Sequence, residues 1–218
     1  MPDTSHLTLY YSPGACSLAP HIALEETGEP YRLERVDMAA GAQRSPEYLA
    51  INPKGRVPAL SDGGFVVTEN PAVLRYVARK HPTARLWPDD PRAEAKCAEW
   101  LAWCSSTVHV AFAHVRRAER YASSEAGLAE VVAKGRDTCR EVWEQVERKL
   151  AGSRAEWAAG EGYSVADPYV LLFWLWGRGP VLGYDMPADF PAWTAHARRM
   201  GERPAVRRAL EQEGMALP

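Results

Sequence analysis

Cys16-Ser17 follows Tyr11-Ser12-Pro13-Gly14 and stands where a strand turns into a helix. A free thiol titrates near about 8.5, and a helix N-terminus can lower that by several units, because its unpaired N–H groups and its dipole both favour an anion. Cys16 is therefore a candidate thiolate nucleophile, although spacing alone equally allows a small buried cysteine. Cys16-Ser17-Leu18-Ala19 is not C-x-x-C, which disfavours a dithiol oxidoreductase. His109, on a long helical stretch, can exchange a proton near neutral pH; a lone histidine on a helix is otherwise more often an interior or surface residue. Cys104 and His109 lack metal-ligand spacing, and no metal is expected. Glu69 directly precedes Asn70-Pro71, a helix start; a carboxylate there has no obvious folding role, which favours a functional one.

The elements that must hold these groups are legible. Leu7–Tyr11 alternates and predicts a strand. A helix should run from about Cys16 or Ser17 to Thr27 and end at Gly28. Tyr31–Asp37 reads as a second strand and Ser45–Ile51 as a short helix. Val57–Leu60 and Phe65–Thr68 are strands joined around Asp62-Gly63-Gly64. Asn70 should cap a helix with Pro71 next to it, ending near His81-Pro82. This β-α-β-α-β-β-α order predicts one sheet with helices on its faces. Beyond a Pro- and Asp-rich connection everything reads helical: Pro91 to Tyr121 as one long helix, then Gly127–Leu150, a buried helix opened by the capping box Ser164-Val165-Ala166-Asp167, then Pro191–Met200 and Ala205–Glu213. The expected fold class is α/β plus all-α, with residues 1–82 and 91–218 joined by a linker at 83–90.

Composition narrows the partners. The 26 Lys+Arg against 28 Asp+Glu leave a net charge of −2, without the basic excess of a nucleic-acid binder. Seven of the eight tryptophans lie beyond residue 90, so a bulky core is expected there. The longest apolar run, Tyr169–Trp176, falls far short of the roughly 18–20 residues of a membrane span. The N-terminus shows no basic-then-apolar signal, and four unpaired-looking cysteines suit a reducing compartment, so a cytoplasmic location is expected.

Tyr11-Ser-Pro-Gly-Ala-Cys16-Ser17-Leu-Ala-Pro-His21, Asn52-Pro-Lys-Gly-Arg-Val-Pro-Ala-Leu60, Thr68-Glu69, Glu99-Trp100-Leu101 with Val108-His109, Ser164–Tyr169 and Glu202-Arg203-Pro204 together resemble the bacterial, beta-class glutathione transferases over almost the whole chain. The resemblance implies a thioredoxin-like domain with a mixed four-stranded sheet followed by an all-helical domain, in a homodimer. It implies glutathione as co-substrate, with Cys16 contacting its sulfur and His109 pointing into the cleft, and with Tyr11 and Ser17 as further catalytic candidates. Glutathione is an extended tripeptide that can pair with a strand edge; the resemblance implies a cis bond at Pro58 that turns the Val57 backbone toward the cysteinyl part. Glu69 and the N-terminus at Asn70 would hold the γ-glutamyl ammonium and carboxylate.

Two departures stand out. Met38-Ala-Ala-Gly-Ala42 lacks the Lys of the relatives, and Ala102 stands where they carry Asn; Arg56 is the candidate to meet the glycyl carboxylate instead. The implied activity is addition of the glutathione thiolate to small apolar electrophiles, or thiol transfer through Cys16, with a co-substrate wall drawn from His109, Trp103 and Phe112. The rivals are a non-catalytic protein-interaction module on the same fold and a glutathione-dependent reductase or dehalogenase.

Overall fold

Leu7, Leu9 and Tyr11 are buried, while Thr8 and Tyr10 between them are only half-buried. This is the period-two pattern of a strand with one apolar face on the core. The computed structural model describes residues 7–216. Strand β1 (Leu7–Tyr11) lies inside a four-stranded sheet of order β2-β1-β3-β4. It pairs in parallel with β2 (Tyr31–Arg35) and antiparallel with β3 (Ala59–Asp62), which pairs antiparallel with β4 (Phe65–Thr68). Parallel pairing needs a crossover, supplied by α1 (Leu18–Thr27). Gly28 ends α1 with φ +69°, the left-handed C-cap that glycine adopts without penalty. Helix α2 (Pro46–Ile51) is capped by the Ser45 side chain, and α3 (Asn70–Lys80) packs on α1.

Two strands differ from expectation, β2 at its end and β3 at both ends, since β3 runs on to Asp62 rather than stopping at Leu60. β2 stops at Arg35 because Asp37 Oδ1 accepts the N–H groups of Ala39 and Ala40 and turns the chain. β3 begins at Ala59 rather than Val57, since Pro58 has no N–H to give a central ladder. The Val57–Pro58 bond is cis.

The remainder is helical. α4 (Pro91–Trp103) is capped by Asp90, passes through a widened turn of π geometry at Cys104–Val108, and continues as α5 (His109–Arg116). The long helix expected to Tyr121 ends at Arg116; carrying it on would set Arg116 and Arg120 one turn apart on the same face, a like-charge pair that weakens a helix. α6 (Glu125–Ala151) follows, then α7 (Ala166–Arg178), α8 (Met186–Asp189), α9 (Pro191–Glu202) and α10 (Pro204–Gln212). Half of the expected capping box forms at the start of α7: Asp167 Oδ2 accepts the Ser164 N–H at 2.8 Å, while Val165 takes the cap position and Ser164 Oγ accepts from the Ala166 N–H at 3.3 Å. Trp100, Trp143, Trp193, Tyr169, Phe173 and Phe190 are all fully buried, the aromatic core expected in this half. Helix α1 packs against α3 on one side and α7 and α10 on the other, so sheet and helical bundle share one core. Among the described residues no helix is long and apolar enough to cross a membrane.

Candidate active site

The site is assembled around the loop between β1 and α1. Ser17 Oγ accepts the Ser12 N–H and donates to the Ser12 carbonyl, tying the loop to itself. Gly14, at φ +69°, donates its N–H to Glu213 Oε2 at 2.8 Å, and its carbonyl accepts from Trp176 Nε1 at 2.9 Å. Asn70 Nδ2 donates to the Cys16 carbonyl at 2.8 Å. The loop is thus held by side chains from α3, α7 and the end of α10.

Asn70 is the N-cap in the sequence reading, and the structure corrects this. Glu69 occupies the cap position, Asn70 is the first helical residue, and its amide is committed to Cys16. Glu69 has φ +74°, a conformation that costs a non-glycine residue about 1–3 kcal/mol. The distortion carries the Glu69 side chain to the mouth of a cleft, where it meets Lys54 Nζ at 2.6 Å. Lys54 is placed by the tight Asn52–Arg56 loop, in which Asn52 Nδ2 donates to the Arg56 carbonyl. Gly55 there has φ +59°, and a Cβ would come within 2.9 Å of the Gln43 carbonyl.

The cleft encloses about 340 Å³ between the sheet end and the helices. Cys16, Arg56, Val57, Pro58, Glu69, Asn70 and His109 all line it, although they span more than ninety positions of sequence. Tyr169 closes its floor; burial holds this phenol well above its usual range. A second cavity of about 390 Å³ opens beside the first and shares Cys16, Arg56, Val57 and His109 with it. Phe112 and Trp176 form its apolar wall, stacked with ring centroids 4.4 Å apart, and His109 meets the Trp176 ring edge-on at 5.1 Å.

The electrostatics differ from the sequence expectation at Cys16. Its thiol, half-buried at the wall, points back at the protein and donates to the Val57 carbonyl at 3.3 Å. Burial pushes it up to about 12, and the Glu69 charge adds to the rise; the local backbone N–H and the charges of Arg56 and Arg120 oppose it without prevailing. Cys16 is therefore a neutral thiol near neutral pH rather than a thiolate. His109 moves the other way, down to about 4, through burial first and then repulsion from Arg120 and Arg56. It is a neutral imidazole at pH 7, not a cation.

Three further expectations change. Tyr11 is a buried β1 residue whose ring lies 5.8 Å from that of His21, and it lines neither cavity. Ser17 is fully buried with its hydroxyl engaged by Ser12, so it shapes the Cys16 loop instead of facing the cleft. Trp103 packs on Trp100 under the Lys149 ammonium, outside both cavities. Conversely, sequence reasoning missed Lys54, Arg120, Tyr169 and Trp176. Lys54 was visible inside the Asn52–Leu60 motif; Trp176 was hidden inside an apolar run that reads as uniform core.

Similarity to known proteins extends over nearly the whole chain. The N-terminal domain of glutathione S-transferases matches residues 5–79, and the C-terminal domain of the same family matches residues 104–204. Glutathione S-transferase GstA of Escherichia coli O157:H7 is 32% identical, across 96% of this chain and 100% of its own length. Among solved structures, a glutathione transferase homologue from Sulfitobacter with bound glutathione is 39% identical with a TM-score of 0.89, covering 97% of this chain and 100% of that one. The bacterial beta class glutathione S-transferase of Sphingomonas chungbukensis is 35% identical with a TM-score of 0.81, covering 96% and 100%. With a thioredoxin-like sheet, a helical second half and full-length relatives of this kind, the chain belongs to the glutathione S-transferase family.

Proposed function

We propose that the protein transfers the thiol of glutathione to small electrophiles with an apolar body. The observation that carries this is the convergence of Cys16, Val57–Pro58, Glu69, Asn70 and His109 on one cleft that opens directly onto a second, aromatic-walled cavity. Glutathione would lie in the first with its γ-glutamyl ammonium at Glu69 and its glycyl carboxylate at Arg56, which takes the place of the lysine that relatives carry. Its cysteinyl part would run along Val57, putting the sulfur beside Cys16 and His109.

The residues then divide the chemistry. The charges of Arg120 and Arg56, which add to burial in keeping His109 neutral, act on any acid in the same space, and for a thiol the same positive field favours the anion. Neutral Cys16, released from the Val57 carbonyl, can donate its S–H to a glutathione thiolate. His109 can accept a hydrogen bond or the leaving proton. A protonated Cys16 favours addition by glutathione over thiol transfer through Cys16. Dimerisation and a cytoplasmic location belong to this proposal as well.

Isothermal titration with glutathione, followed by conjugation of chlorodinitrobenzene, tests it. Saturable heat and turnover that survives in Cys16→Ala at reduced rate are the expected results. Absence of heat at millimolar glutathione would leave the interaction-module reading.

A further inference from the structure

The second cavity combines two unlike linings. Phe112, Trp176, Leu175 and Val181 give it an apolar wall with a flat aromatic face. Arg56, Arg116, Arg117 and Arg120 stand around the same space, and no acidic residue lines it. None of these four arginines forms an ion pair with a carboxylate among the described residues, whereas Arg140, Arg203 and Arg208 all do. Glu119 is the acidic neighbour that Arg120 feels, and Glu69 across the cleft is already engaged by Lys54. In a chain of net charge −2, this is an uncompensated concentration of positive charge beside an aromatic surface. Arg56 and Arg120 also line the first cavity and are accounted for by glutathione; Arg116 and Arg117 line only the second. The C-terminal end of α5 favours cations by its dipole, which accounts for Arg116 but does not require a further guanidinium at Arg117.

We propose that the second cavity is built for an amphipathic organic anion: a co-substrate with a planar apolar body against Phe112 and Trp176 and a carboxylate or sulfonate held by Arg116 and Arg117. Guanidinium groups bind such oxyanions in a fixed fork geometry. The inference rests on the transferase reading and narrows it from apolar electrophiles at large to anionic ones.

A matched pair of substrates tests it: a chlorodinitrobenzoate with its carboxylate para to the chlorine, and the methyl ester of the same compound. In each, the glutathione sulfur forms a C–S bond with its lone pair at the chlorine-bearing ring carbon. Chloride leaves with the C–Cl electron pair, and the thiol proton passes to solvent. After correction for the uncatalysed reaction of each compound, the acid should exceed the ester in kcat/KM by roughly tenfold or more, as expected for a charge-assisted contact. That ratio should collapse toward one in the Arg116→Gln/Arg117→Gln double variant and at about 1 M salt, where the Debye length is about 3 Å. The glutathione dissociation constant of the variant, measured by titration, separates loss of the anion site from loss of glutathione. If the double variant does not fold, the salt dependence of the unmodified protein and the charge-retaining Arg117→Lys variant carry the test. A ratio at or below one, or one indifferent to salt and to both arginines, overturns the anion site while leaving the transferase reading intact. If neither compound is turned over, chlorodinitrobenzene decides the transferase reading, which fails when that compound is not conjugated either. Titration with unreactive dinitrobenzoate then decides the anion site alone: saturable, salt-sensitive heat supports it and no heat overturns it.

Discussion

Cys16 and His109 both depart from their ordinary titration in the direction of neutrality, and each departure has a measurable consequence. Cys97, Cys104 and Cys139 are buried, so alkylation of the native protein reports Cys16. Its rate should remain low through pH 8 and rise only as the pH approaches about 12, read by mass spectrometry of the modified chain. For His109 the folded protein prefers the neutral ring, so the unfolded chain takes up the proton first as the pH falls. Stability contributed by this residue is complete above about pH 6.5 and is lost as the pH drops toward 4, on the order of 3 kcal/mol in all. Thermal unfolding from pH 7 to pH 4 should show this loss, and His109→Asn should flatten it. Glu69 presents the opposite exchange, local strain kept for a side chain in the cleft. In Glu69→Gly, relief of the positive φ is worth about 1–3 kcal/mol against about 0.5–1 kcal/mol of added unfolded-chain entropy. The melting temperature should hold or rise while glutathione affinity falls by roughly 5- to 150-fold, the range for about 1–3 kcal/mol of lost charged contact. A melting temperature that falls sharply would show that Glu69 is structural.

At the scale of elements, most of the fold was legible because each boundary is set by a local device. Gly28 stops α1, Ser45 caps α2, Asp90 caps α4 and Ser124 caps α6, each through a backbone conformation or a side-chain oxygen readable from sequence. One cap is displaced by a remote partner. Asn70 left its capping role because the Cys16 carbonyl lies within reach. Asp167 does more than its capping box required: it also accepts from Ala158 N–H at 2.8 Å and pairs with buried His196 at 2.9 Å. Asp167→Ala strands all of these donors without water, so it should cost about 3 kcal/mol and lower the melting temperature by about 6–12 °C in scanning calorimetry. A drop of only a degree or two would mean that the network reorganises. The π turn at Cys104–Val108, which no sequence pattern announced, immediately precedes His109 and places Ser105 at the cleft; such turns are frequent at functional sites.

At the scale of the molecule, the end of the chain reaches back to its beginning. Glu213, buried, holds His21 Nδ1 at 2.8 Å with one oxygen and the Gly14 N–H at 2.8 Å with the other. Arg203 binds Glu26 through two nitrogens at 2.6 and 2.9 Å. The loop that presents Cys16 is therefore positioned by residues nearly two hundred positions away. Glu213→Ala should cost about 2 kcal/mol, or about 4–8 °C in melting temperature, and should also weaken glutathione binding with every cleft residue still present. Glu213→Gln, which restores one acceptor, should recover part of both. Loss of stability with unchanged glutathione affinity would show that the loop keeps its shape without the tether.

The order of strands and helices, the aromatic second half and the pool of candidate site residues follow from the chain's own pattern, because hydrophobic period, caps and motifs act over a few neighbours. The tertiary structure alone decided which candidates face the cleft and in what state. Tyr11 and Ser17 carry the right chemistry but are turned inward by a sheet face and a loop staple; Cys16 is kept protonated by burial that outweighs the local N–H groups; and Arg116 and Arg117 acquire a role only because the fold brings them against Phe112 and Trp176. Desolvation and the field of distant charges depend on what packs around a group, and that is not written in its neighbours along the chain.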